Sequence, residues 1–179
     1  SLGGGIAIGD VGIFENDEDL VLNLGHGDVI TLSGALTPYA DEGGNNAGRH
    51  WVVRATYAFA TALFISFPHI GQGEANTALT GTVMRRLGSR DPQAMANLAR
   101  TIGAWDDTRP LADAPLAAAD QLDKFFTSLG MPTRLRDLDF PREGLGRVLE
   151  NSLKNFNADP KREFVRERDL LNDVLQSAW

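Results

Sequence analysis

The stretch "FFTSLGMPTRLRDLDFPREGLGRVLENSLKNFNADPKREFVRERDLLNDVLQSAW", residues 125–179, is punctuated like a run of short helices. Leu145, Val148, Leu149, Ser152, Leu153 and Phe156 recur at steps of three and four, and Leu170, Leu171, Val174, Leu175 and Ala178 do the same. That spacing lines one face of a helix turning every ~3.6 residues. The stretch opens on the end of another such stripe, Leu116, Ala119, Leu122, Phe125, Phe126 and Leu129, which Gly130 and Pro132 bring to a stop.

Moving toward the N-terminus, the same period persists. Met95, Leu98, Ala99 and Ile102 form one face closed by Gly103, with Ser89 and Asp91 as candidate caps and Pro92 in the first turn. Ala75, Ala78, Leu79, Val83 and Leu87 form another, with Gly88 at the stop position. The most apolar run, "WVVRATYAFATALFISF" at 51–67, is short for a membrane span and carries Arg54, so it reads as a core helix. Each stripe needs a partner, because burying an apolar side chain is worth roughly 1.5–3 kcal/mol whereas an isolated short helix is marginal in water. The expectation is a mainly α fold, a bundle of roughly six helices over residues 50–179. Residues 1–49 change character: they are rich in Gly and acid, with turn signals at 25–28, 37–38 and 43–46. They read as an irregular segment in which Val21-Leu22 and Val29-Ile30-Thr31-Leu32 could pair as a small hairpin.

Composition narrows the partners. With 17 basic against 24 acidic residues the formal charge is −7, which repels a phosphate backbone, so no nucleic acid is expected. No membrane association is expected either. The absence of cysteine removes disulfides, thiolate nucleophiles and Cys-type zinc sites, leaving any metal to His, Asp and Glu. It also fits a cytoplasmic protein.

Three pieces of residues 125–179 carry a resemblance: Leu129-Gly130-Met131-Pro132, Leu135-Arg136-Asp137-Leu138, and Asn157-Ala158-Asp159-Pro160 between two helical stripes. Together they resemble the C-terminus of the iron-containing alcohol dehydrogenase family, and residues 73–104 resemble the helix after that family's last metal-ligand motif. The resemblance implies a metal-dependent NAD(P)-linked alcohol or aldehyde oxidoreductase in which a nucleotide-binding domain faces a helical domain. An Asp and three His of the helical domain would hold Fe²⁺ or Zn²⁺, and the metal would polarise the alcohol or carbonyl oxygen.

Against that pattern, "FPHIGQGEAN" at 67–76 places Gln72 where the family's Pro-His-Gly motif has its His, unless His69 is the ligand with Ile70 to Gln72 inserted. No Asp stands four residues before any of the three histidines. The candidate metal ligands are therefore His50 and His69. Their plainer alternatives are a buried histidine at a helix start for His50 and a loop histidine for His69; His26 reads as a turn residue. "GGGIAIGD" at 3–10 resembles the family's Gly-rich pyrophosphate turn with Ile6 in place of Ser, which makes Gly3, Gly4 and Gly5 the candidate cofactor contacts. The charged run "DPKREFVRERD", 159–169, reads as a solvated loop and helix start with local ion pairs. Taken together, the expectation is a truncated or rearranged family member that is inactive alone. The alternative is a non-enzymatic helical module that self-associates as a homo-oligomer or binds a protein partner.

Overall fold

The computed structural model describes residues 12–16, 19–23, 29–32 and 50–179. The first three segments are strands: β1 (Gly12–Asn16), β2 (Asp19–Asn23) and β3 (Val29–Leu32). They pair in sequence order as an antiparallel meander, with Val21 opposite Thr31 and Leu22 opposite Ile30. The hairpin read from the sequence is thus present, and β1 adds a strand to it. The turn at 25–28, His26 and the turns at 37–38 and 43–46 lie outside the described residues.

From residue 50 the chain is helical: α1 (Trp51–Ser66), α2 (Gln72–Leu87), α3 (Pro92–Thr101), α4 (Ala114–Ser128), α5 (Leu145–Ser152), the single turn α6 (Glu163–Arg166) and α7 (Arg168–Ala178). Helix α2 runs through the middle and packs on α1, α4 and α7, while α1 also packs on α5, and α3 packs on α4. Its central position is written in its small residues. Gly73, Ala75, Ala78 and Gly81 are all buried, and at Gly81 the Asp123 carboxylate of α4 occupies the space that a Cβ would take. No helix among the described residues is long and apolar enough to cross a membrane.

The helix ends follow from local chemistry. Asp91 caps α3 by accepting the Ala94 N–H at 3.1 Å, with Pro92 in the first turn. Gly103 and Gly130 take positive φ, 70° and 73°, where a side chain would be strained. At each, the glycine's own N–H and the one after it fold back onto carbonyls of the last turn: Gly103 to Arg100 and Ala104 to Ala99, Gly130 to Thr127 and Met131 to Phe126. Gly88 ends α2 for another reason. Its φ is −62°, ordinary for any residue, but a Cβ there would lie 2.7 Å from Pro115 Cβ and 3.0 Å from Met95 Cγ.

Most of the stripes are buried as their spacing requires. Leu171, Val174, Leu175 and Ala178 of α7, and Leu145, Val148, Leu149 and Leu153 at α5, sit in one core with Phe59, Leu63, Leu79, Val83 and Phe126. Three members are exceptions, among them Leu129, exposed just past the end of α4. Leu116 is exposed on the outside of α4, and Phe156 is exposed because α5 ends at Ser152 and the chain turns before reaching it. The charged run does start helices, α6 and α7, but it is corrected at two positions, since Asp159 and Phe164 are both fully buried rather than solvated. Gly88→Ala is expected to cost about 1–3 kcal/mol through overpacking against Pro115, measured as a lower midpoint in urea unfolding with an unchanged slope.

Candidate functional site

His50 and His69 stand at opposite ends of α1. The helix has 16 residues, and at about 1.5 Å per residue its ends are roughly 24 Å apart. The two imidazoles therefore do not share one ion. His50 is buried and caps α1, its Nδ1 accepting the Val52 N–H at 3.1 Å. A further hydrogen bond reaches the backbone of Asp91, so the ring joins the start of α1 to the start of α3. Burial pushes its pKa down from 6.5 to about 4, with the Asp91 hydrogen bond acting the other way. This imidazole is neutral at pH 7, with hydrogen bonds to protein on two sides.

His69 lies exposed in the α1–α2 loop, its ring edge-on to Phe67 with centroids 6.4 Å apart. Ile70 beside it is buried, and the loop closes through the Ile70 N–H to the Phe67 carbonyl. Gln72 is the exposed first residue of α2, and the Glu74 carboxylate accepts the Gly71 N–H at 2.9 Å to cap that helix. The "FPHIGQGEAN" stretch is thus a helix hairpin with a capped second helix. Among the described residues no three or more His, Cys, Asp and Glu come together in a group that could hold a metal. The donors present do not fit the Asp and three His that the resemblance implies. Gly3, Gly4 and Gly5 lie outside the described residues.

A second centre was not read from the sequence. Arg54, in the apolar run of α1, is buried and donates to three acceptors: Nε to the Ala158 carbonyl at 2.8 Å, one terminal nitrogen to Asp159 at 2.6 Å, the other to Glu163 at 2.7 Å. Its guanidinium also lies against the rings of Trp51 and Phe164, 5.2 and 5.1 Å from their centroids. Asp159 is fully buried, and its two oxygens also accept the N–H groups of Glu163 and Phe164 at 2.9 and 2.7 Å, starting α6. The chain between α5 and α6 is held further by Ala158 N–H to Asn155 Oδ1 and by Arg162 to the Leu153 carbonyl. Arg162 itself sits at φ 58°, uncommon for a residue with a side chain.

That held segment forms one wall of a groove of about 460 Å³; the other wall is the outward face of α1. Ala58 and Ala62 floor it, Tyr57, Ile65 and Phe156 supply apolar walls, and Lys154, Asn155 and Asn157 edge it. The groove is open to solvent, with apolar walls and a few polar groups along its edge. Only α1's periodicity hinted at it: Tyr57, Thr61 and Ile65, spaced by four, lie on one face of a helix whose other face is core.

The molecule is therefore a helical-bundle domain with a groove on one side and no assembled metal site among its described residues. Residues 50–178 match the model of the Fe-containing alcohol dehydrogenase family, C-terminal, and the chain belongs to that family. Two solved structures share the fold. A 1,3-propanediol oxidoreductase superposes with a TM-score of 0.61 at 23% identity, over 70% of this chain and 32% of its own. An alcohol dehydrogenase from Oenococcus oeni gives 0.59 at 22% identity, over 73% and 33%. The aligned part thus spans about a third of either structure's length. No curated protein sequence matches the chain.

His50 makes a prediction about pH. Because its folded pKa, about 4, is below the unfolded 6.5, the unfolded chain takes up the proton first, and stability present above pH 6.5 is lost as pH falls toward 4. The loss is expected to reach roughly 2 kcal/mol by pH 5. Urea unfolding at pH 7 and pH 5 reads it, with His50→Asn, which keeps a capping oxygen, losing much less between the two; equal losses would contradict the assignment.

Proposed function

We propose that this chain is the substrate-facing helical part of an NAD(P)-linked alcohol or aldehyde oxidoreductase, with the α1 groove as its cleft, and that it does not sustain turnover by itself. What supports the reading above all is family membership over residues 50–178, joined to a groove whose apolar walls suit the carbon body of an alcohol. The reaction would exchange a hydride between the alcohol carbon and the nicotinamide, with a proton leaving the hydroxyl as the carbonyl forms. Groove residues would contribute binding and exclusion of water: Tyr57, Ile65 and Phe156 would cover the substrate's carbon chain, and the alanine floor gives it room.

A bound metal enters this proposal only as the family's property. The described donors give it no assembled home, because His50 is engaged at the α1–α3 junction and His69 is far from it at the opposite end of α1. The inactivity part of the reading rests on that mismatch.

Thermal melts of the chelator-stripped chain test both parts. Primary alcohols and aldehydes are expected to raise the Tm with concentration, by binding the folded form. Thr61→Trp, which fills the groove from the half-buried α1 edge, is expected to remove the effect. Zn²⁺ or Fe²⁺ is expected to leave the Tm unchanged, and NAD(P)H is not expected to accumulate. No response to any alcohol or aldehyde would sink the substrate cleft; a metal-induced rise lost in His69→Gln, or sustained NAD(P)H formation, would overturn the inactivity.

A further inference from the structure

The groove is unlike a simple apolar slot in the charge at its edge. Tyr57, Ile65 and Phe156 are 39%, 65% and 66% exposed, three of the larger apolar side chains left in water, and all face this concavity. Lys154 stands on the same rim, exposed and without a salt-bridge partner among the described residues. Glu150, whose carboxyl is lowered chiefly by its hydrogen bond from Arg168 and also feels the Lys154 charge, is committed to that arginine. Beside Lys154, Asn155 spends its carbonyl oxygen on the Ala158 N–H at 3.0 Å, leaving its amide NH₂ as the group it can offer a ligand. Among the described residues, no Asp, Glu, His or Cys lines the groove. The described edge therefore presents the Lys154 charge and the Asn155 amide beside apolar walls, with the Arg162 guanidinium 4.9 Å from the Phe156 ring centroid, in a chain whose overall charge is −7.

We propose that the groove takes a ligand with an apolar body and a carboxylate head, the body against Tyr57, Ile65 and Phe156 and the head on the Lys154 ammonium, with Asn155 as a second donor. The inference rests on the reading of the groove as the substrate cleft and names the substrate class, an alcohol or aldehyde that also carries a carboxylate. A positive point charge at an open rim selects among ligands more than it tightens all of them, and its selection weakens with salt.

Calorimetric titration of the full chain with phenylbutyrate and with phenylbutanol, which share a skeleton and differ in charge, tests it. The carboxylate is expected to bind about tenfold tighter at low salt, a modest charge-assisted preference. Lys154→Gln is expected to erase that preference while leaving phenylbutanol unchanged, and Phe156→Ala to weaken both; both side chains are exposed, and a melt of each variant checks that it folds. Equal affinities, or a preference that survives Lys154→Gln, would overturn the carboxylate class while leaving the alcohol cleft standing. Binding of neither compound would overturn both. Lys154-dependent carboxylate binding with no response to any alcohol or aldehyde would keep this site and sink the oxidoreductase reading.

Discussion

Arg54 is a cation placed where water does not reach, and much of the molecule's functional face is arranged around it. A buried guanidinium is costly unless its charge and its donors are met. Here both are met by one segment far away in sequence, through the Ala158 carbonyl, Asp159 and Glu163. Asp159 meets the same requirement from the other side, with three contacts shared between Arg54 and the first N–H groups of α6. Neither side chain can leave without stranding the other.

The consequence is positional. Because Arg54 projects from the first turns of α1, the pairing fixes residues 158–163 against that helix. Asn155 then ties Ala158 back to the end of α5, and Ser152 Oγ reaches the Ala58 carbonyl at 3.3 Å. The segment from 154 to 157 is suspended between these anchors, and it carries Lys154, Asn155 and Phe156 to the rim of the groove. A polar network in the core thus sets the shape of a surface site that it does not touch. Trp51 adds to the same junction, its ring tilted against Phe164 with centroids 5.1 Å apart and lying under Arg90, whose guanidinium is 4.2 Å from its centroid.

The helices were legible because apolar spacing records which face is buried, and the stops at Gly103 and Gly130 because only a positive φ closes those turns. Gly88 gave the right boundary for the wrong reason, since packing against Pro115 leaves no trace in local sequence. In the run 159–169 the solvated reading fails at Asp159 and Phe164: the charges look like a surface pattern, and the partner that buries Asp159 lies 105 residues away. A usable signal did exist, a single arginine in an otherwise apolar run, which needs an acid somewhere. The histidines were ambiguous for a geometric reason. Sequence distance does not say that a helix separates His50 from His69, and once α1 is drawn between them they become a cap and a loop residue.

A double-mutant cycle on Arg54→Met and Asp159→Leu, read by urea unfolding, tests the central constraint most directly. Each single change strands a buried charge and is expected to cost about 3–5 kcal/mol. The pair removes both charges together and should cost less than the sum, with a coupling of at least ~1 kcal/mol. Single variants that lose little, or losses that simply add, would mean that Arg54 and Asp159 do not depend on one another and that something else holds the groove wall in place.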